Sequence, residues 1–164
     1  MDVFGTALLS ATLLCSLVAG FLFAFACVTM PGLGTLGDLE FLRGFQVLDR
    51  VIQDNQPLFV LVWVGSVLCL TGCAVIDLGR LAGLDRTLLV VAAGAYLAGV
   101  QLPTLAINVP LNNRLQTLDL EAMSVDALAA ARADFEPRWN RWNRVRTVVS
   151  TLTSVLLIVL VWRL

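Results

Sequence analysis

The sequence predicts an all-α membrane protein, a four-transmembrane-helix bundle with an amphipathic interfacial helix in its first loop and a short helix in its third. Hydrophobic residues make up 59% of the 164 positions and charged residues only 14%, at a mean hydropathy of +0.87. Such a composition is foreign to a soluble domain with a polar exterior. Four stretches are also apolar over about the 20 residues that a membrane-crossing helix requires. We expect a single membrane domain over 1–164.

The four spans follow one another at intervals set by prolines and charges. We predict them at about 3–30, 57–76, 87–107 and 140–162. The first apolar run is longer than the core of a signal peptide and has no basic region before it, so we expect it to be a retained helix. The uncharged part of the fourth, 147–162, rises only about 24 Å at 1.5 Å per residue, short of the roughly 30 Å hydrocarbon core. Arg146 is therefore expected to reach into the membrane.

The loops that follow the first and third spans are long, and each contains a predicted helix. In loop 31–56, apolar residues recur at near-helical spacing, which predicts an amphipathic helix at the membrane interface and a candidate lid; they are Leu39, Leu42, Phe45, Leu48 and Ile52. In loop 108–145, Ser124 is placed to cap a short helix that runs to about Phe135. Pro137 is expected to interrupt the chain before the fourth span.

The distribution of charge suggests an orientation and excludes one class of partner. Four crossings place both long loops on one side, and most of the arginines lie there, so the positive-inside tendency puts these loops in the cytoplasm. We expect an integral protein of a bacterial cytoplasmic membrane. The formal net charge is −1, with no lysine and no histidine, which argues against a nucleic-acid surface.

The start of the fourth span carries the most informative polar pattern. Trp139, Trp142, Asn143 and Arg146 stand at i, i+3, i+4 and i+7, so a helix places them on one face, which continues through Ser150 and Thr153. An interfacial collar, with tryptophans at headgroup depth, is the alternative explanation. It accounts for the neighbouring arginines, but buried amides and a guanidinium in lipid are costly without partners.

Partners for this face are available on the third span. Gln101, Thr104, Asn108 and Asn112 stand at i, i+3, i+7 and i+11, although Pro103 and Pro110 must distort the backbone. Proline-broken helix ends are tolerated in membranes only where they are buried in protein or line a cavity. Connectivity brings all these residues to one end of the bundle, where we expect a recess. A network of amides that only joins helices remains the alternative.

Four motifs, in their order along the chain, resemble those of the DUF1772 or anthrone-oxygenase-like membrane proteins. They are Met30-Pro31-Gly-Leu, then Phe45-Gln46-x-x-Asp49-Arg50 with Pro57-x-Phe59, then Asn108-x-Pro110-x-Asn112, then Trp139-x-x-Trp142-Asn143-x-x-Arg146. The resemblance covers nearly the whole chain, and the last two motifs are its specific part. Asp49 departs from the pattern, because relatives often have asparagine there.

The resemblance implies a four-helix membrane fold and, for the few members with an assigned reaction, oxidation of an anthrone to an anthraquinone by dioxygen without an evident cofactor. We accordingly expect neither a cofactor nor a metal site. The candidate catalytic residues are Arg146, Asn143, Asn108, Asn112 and Asp49, the last favoured as base over Asp54 and Glu136. The candidate substrate-binding residues are Trp139, Trp142, Gln46, Gln101 and Phe59. The expected ligand is a hydrophobic aromatic molecule or a lipid.

Other functions stay open at this stage. The main alternative is a non-enzymatic membrane module that binds a lipid or hydrophobic metabolite, or that assists a partner protein. A thiol redox protein is less favoured, because Cys15, Cys27, Cys69 and Cys73 form no C-x-x-C pair. A transporter would need several copies of so small a chain and a repeated pair of broken helices. A homo-oligomer is compatible with the sequence.

Overall fold

The computed structural model describes residues 2–77 and 79–164, and within them the fold consists of helices joined by turns and short loops, with no strand. Its five helices are α1 (Val3–Gly34), α2 (Asp38–Gln53), α3 (Pro57–Ile76), α4 (Gly83–Gln116) and α5 (Val125–Arg163). All except α2 are long and apolar enough to cross a membrane. The predicted fold class is confirmed, and the chain is an integral membrane protein.

Prolines do not end the spans where the sequence suggested. The helix α4 continues to Gln116 instead of ending near 107, and α5 begins at Val125 and runs through Pro137 without a break. The cap of the expected third-loop helix is present, since the Ser124 hydroxyl accepts a bond of 3.3 Å from the Ala127 amide. That helix forms the first turns of α5 and is continuous with the fourth span.

Wider helical turns explain how α1 and α4 pass their prolines. A π-helical turn ends two residues before each proline: Phe25–Thr29 before Pro31, Leu97–Gln101 before Pro103, and Thr104–Asn108 before Pro110. A proline in an α-helix lacks an N–H and its ring collides with a carbonyl one turn back. The extra residue in a π turn displaces that carbonyl, so the helix continues with a local distortion.

Close contact between α1, α3, α4 and α5 builds the half of the bundle nearer the chain termini. The small side chains of Ala11 and Cys15 on α1 are fully buried, and Tyr96 of α4 and Leu157 of α5 are buried in the same cluster. Lipid tails are as apolar as leucine, so helix association in a bilayer depends on packing contacts and on hydrogen bonds between helices. One such bond, of 2.7 Å, joins the hydroxyls of Ser66 and Tyr96.

The amphipathic helix α2 packs across the opposite end of the bundle. Phe41, Leu42 and Phe45 form its buried face, and the Phe45 ring lies 4.6 Å from that of Phe135 and 5.2 Å from that of Trp139 on α5. The turn before α2 is held by Arg132 of α5, which donates hydrogen bonds to backbone carbonyls of this turn and to the carboxylate of Asp38. The interfacial helix is thereby fixed above the ends of the spans.

Candidate functional site

All five helices contribute to one cavity beneath α2. Its volume is about 320 Å³, at the lower end of the roughly 300–1,000 Å³ typical of small-molecule sites. Most of its wall is apolar, and the polar groups come from α2, α4 and α5. The predicted recess at the end of the bundle is therefore present.

The guanidinium of Arg146 is the only cation on the described cavity wall, and it lacks an acidic partner. The side chain is 4% exposed. It donates to the hydroxyl of Thr104 at 2.9 Å and to the amide oxygen of Asn143 at 3.1 Å, both neutral groups. Its Nε has no partner among the described residues. A buried charge is costly unless it is paired, so this arrangement favours a negative charge in the cavity.

Two asparagines of the specific motifs hold the backbone around Arg146. The Asn143 amide donates to the carbonyl of Leu22 on α1 at 3.2 Å, and the Asn108 amide donates to the carbonyl of Trp139 at 3.4 Å. The amide oxygen of Asn108 is buried and has no partner in the part of the chain described. These residues join α1, α4 and α5, and Asn108 retains one free acceptor in the cavity wall.

A second polar network centres on Asp49 of α2. The Asn112 amide donates to one carboxylate oxygen at 2.7 Å, and Gln53 and Gln116 donate to the other at 2.6 and 3.0 Å. Asn112 in turn accepts a bond of 2.9 Å from the indole N–H of Trp139. Asp49 is 4% exposed and forms no ion pair with Arg146 among the described residues. A carboxylate and a guanidinium therefore stand separately on one cavity wall.

Aromatic rings form the remaining walls. The ring centroids of Phe25 and Trp139 lie 5.7 Å apart, and Phe59 stacks on Trp63 with 5.3 Å between their ring centroids. The Arg146 guanidinium carbon lies 5.8 Å from the Trp139 ring centroid. Flat, apolar surfaces with a few polar groups at one end suit a planar aromatic ligand that carries one polar oxygen.

The structure brings most of the predicted site residues together, but not all. Those on the cavity wall are Arg146, Asn143, Asn108, Asn112, Asp49, Trp139 and Phe59. Trp142 is half-buried away from the wall. Gln46 instead donates to the carbonyls of Leu115 and Leu118, and Gln101 accepts from Trp63. None of these three side chains lines the cavity, and Gln46 and Gln101 are engaged in hydrogen bonds within the protein.

Of the three candidate bases, only Asp49 lines the cavity. Asp54 is exposed at the end of α2, and Glu136 pairs with Arg132 at 2.8 Å. Sequence reasoning missed Gln53 and Gln116, although each stands four residues after a predicted site residue and so on the same helical face. The four cysteines are free thiols, and none of them lines the cavity as described.

The fold and the site together define a class: an integral membrane protein of four spans whose buried arginine and amides surround a cavity at one end. Residues 45–156, more than half of the chain, match the protein family described as "Anthrone oxygenase". The chain belongs to that family, as its motifs predicted. Comparison with curated proteins and with solved structures finds no match.

Proposed function

We propose that this protein is a membrane-embedded oxygenase that oxidises an anthrone-type aromatic substrate with dioxygen and without a cofactor. The observation that carries the proposal is Arg146, a buried guanidinium that has no acidic partner among the described residues and lies in a cavity walled by aromatic rings. The substrate class comes from the family. The residues in the cavity suit the chemistry that this substrate requires.

Removal of a proton is the first step, and Asp49 is the proposed base. An anthrone has an acidic methylene group, and its deprotonation gives an enolate whose negative charge rests largely on the ketone oxygen. Arg146 donates to that oxygen, so charge develops beside a fixed cation in a cavity whose wall is mostly apolar. Trp139 and Phe59 hold the rings, with the oxygen directed at Arg146.

Dioxygen then reacts with the electron-rich methylene carbon. One electron passes to dioxygen, the resulting radicals combine in a C–O bond, and the proton held by Asp49 completes a hydroperoxide. Loss of the second methylene proton breaks the O–O bond, and the departing hydroxide takes up that proton as water. The reaction thus converts one CH₂ group and one O₂ into one C=O group and one H₂O. The protein supplies only a base, a cation and an apolar binding cavity.

A second function is favoured by the surroundings of Asp49. Both carboxylate oxygens already accept hydrogen bonds, from three amides in all, which occupies most of the roughly four acceptor sites that a carboxylate offers to a substrate. A non-enzymatic module that binds a lipid or hydrophobic metabolite would use the same cavity. In such a protein the hydrogen bonds of Asp49 would serve only to hold α2 against α4. The two functions differ in turnover, not in binding.

The membrane and its orientation belong to the same proposal. The side of the two long loops carries seven arginines, not counting Arg146, while the opposite side carries Arg80, Arg86 and Arg163. This bias supports a bacterial cytoplasmic membrane with the cavity end in the cytoplasm. A substrate dissolved in the bilayer would reach such a site without crossing water.

Oxygen uptake distinguishes the two functions. Purified protein in lipid nanodiscs is mixed with anthrone under ¹⁸O₂, and oxygen consumption and anthraquinone are followed together against empty nanodiscs. The oxygenase should consume one O₂ per quinone and place one ¹⁸O atom in it, faster than the background oxidation. A rate equal to that of empty nanodiscs, with anthrone bound, would reject the oxygenase and leave the binding module.

A further inference from the structure

An apolar groove runs along the outside of the cavity, between α1 and α3 and beside α2. It has a volume of about 500 Å³, and the residues that line it alone include Leu17, Val18, Leu48, Val51, Leu58 and Val62. Several of these are exposed on the outer surface of the bundle, Leu17 at 48% and Leu58 at 68%. The groove therefore faces the hydrocarbon of the bilayer.

Groove and cavity share a wall of aromatic rings. Phe21, Phe25, Phe59 and Trp63 line both spaces. Phe21 lies 4.9 Å from Phe25 and 5.3 Å from Phe59 between ring centroids, so single rings separate the two spaces. Rotation of these side chains would join the two spaces without movement of the helices, so this wall offers a direct connection from the groove to the cavity that holds Arg146.

The polar groups of the groove are few and mostly occupied. The Gln56 side-chain oxygen accepts from the Phe59 amide, and the Trp63 indole donates to Gln101. Apart from the side-chain N–H groups of Gln56, no further side chain of its described lining offers a hydrogen bond, so the groove selects an aliphatic chain mainly by shape. The cavity, by contrast, has Arg146 and Asp49.

The direction of the groove matches that of a membrane amphiphile. Along α1 it extends from Phe25 back to Leu17, a rise of about 12 Å at 1.5 Å per residue, away from the α2 end and toward the middle of the span. A ligand with its polar oxygen at Arg146 and an aliphatic chain in the groove would therefore point that chain into the bilayer, as lipids do.

We propose that the natural ligand of the cavity is an aromatic ketone or phenol that carries an aliphatic chain, and that this chain lies in the groove. The inference rests on the proposed function, whose substrate it narrows. The aliphatic chain of the ligand moves from the hydrocarbon of the bilayer into an equally apolar groove, so its burial there adds little binding free energy. The groove acts by leaving room for a substituent that a closed wall would exclude.

Blocking the groove tests this steric role. Leu17→Trp and Leu58→Trp fill it from opposite sides, and both positions face lipid, so the bundle core is unchanged. Leu13→Trp is the matched control, one turn away on α1 at 61% exposure and outside the groove. Binding is measured in nanodiscs without dioxygen, by displacement of tritiated anthrone with unlabelled anthrone or with an anthrone that bears a linear alkyl chain.

We expect the wild type and Leu13→Trp to bind both compounds similarly. Either groove variant should bind the alkyl compound about tenfold more weakly, which is about 1.4 kcal/mol, and anthrone as before. Exclusion of the alkyl compound by the wild type, or an equal effect of the groove variants on both compounds, would overturn the inference while leaving the proposed function intact. If tritiated anthrone does not bind the wild type at all, both fall.

Discussion

Replacement of Arg146 by methionine separates a functional cation from a structural one. Methionine keeps an unbranched stem and removes the charge. In the wild type, Arg146 gives two hydrogen bonds, to Thr104 and Asn143, and bonds to a charged group contribute about 1.5–3 kcal/mol each. Opposed to this is the desolvation of the ion, which costs several kcal/mol in a protein interior.

The two contributions are of similar size, so the free energy of unfolding should change by less than about 2 kcal/mol. Turnover should change far more. Loss of one preorganised donor to a developing oxyanion typically lowers kcat by about 10²–10³, equivalent to about 2.7–4 kcal/mol. Arg146→Met should therefore be nearly as stable as the wild type and almost inactive.

Anthraquinone formation in nanodiscs gives the rate, and thermal unfolding in the same particles gives the stability. Arg144→Met is the control, because Arg144 lies on the same helix but is exposed and its only described hydrogen bond is one of 3.5 Å to its own helix. It should match the wild type in both measurements. The reasoning is refuted if Arg146→Met retains the wild-type rate, or if it unfolds readily, as expected of a cation that mainly joins helices.

Three further substitutions test other parts of the structure. Asp49→Asn should lower turnover by about 10²–10⁴ if this carboxylate is the base while anthrone still binds, whereas Asp54→Asn should leave the rate unchanged; equal rates for the two would remove Asp49 from the mechanism. Gly99→Ala should lower the free energy of unfolding by about 1–3 kcal/mol through overpacking, because the added methyl group would lie 2.7 Å from Val149 of α5. Thermal unfolding measures this effect, and Gly94→Ala is the control, because no atom lies within 4 Å of the methyl group added there. Arg132→Ala should release the turn before α2 and cost about 1–3 kcal/mol, visible as faster hydrogen exchange in α2 alone; unchanged exchange there would contradict its anchoring role.

The sequence could predict which segments form helices and which face of a helix points into the bundle, because both depend on the local spacing of apolar and polar residues. The positions of Asn143 and Arg146 on one face followed from helical spacing, and the structure buries both. The cost of burying a guanidinium without partners indicated that this face looks inward. Connectivity then placed Asn108 and Asn112 opposite it, where the cavity is found.

Helix ends and individual contacts could not be predicted in the same way. Proline usually stops a helix, but a π turn before Pro103 and another before Pro110 let α4 continue, and no local rule selects that outcome. Gln46 is a candidate substrate-binding residue in the sequence as part of the motif that carries the family resemblance. Its partners are carbonyls at the end of α4, and only tertiary structure shows where those carbonyls stand.

An experimental structure of the protein in a nanodisc with anthraquinone bound tests the central claim most directly. The account predicts the quinone between the aromatic walls, with one carbonyl oxygen about 2.9 Å from a nitrogen of Arg146 and its rings beside Trp139. A quinone bound elsewhere, or an Arg146 side chain that extends to lipid headgroups and leaves the cavity without a cation, would contradict it.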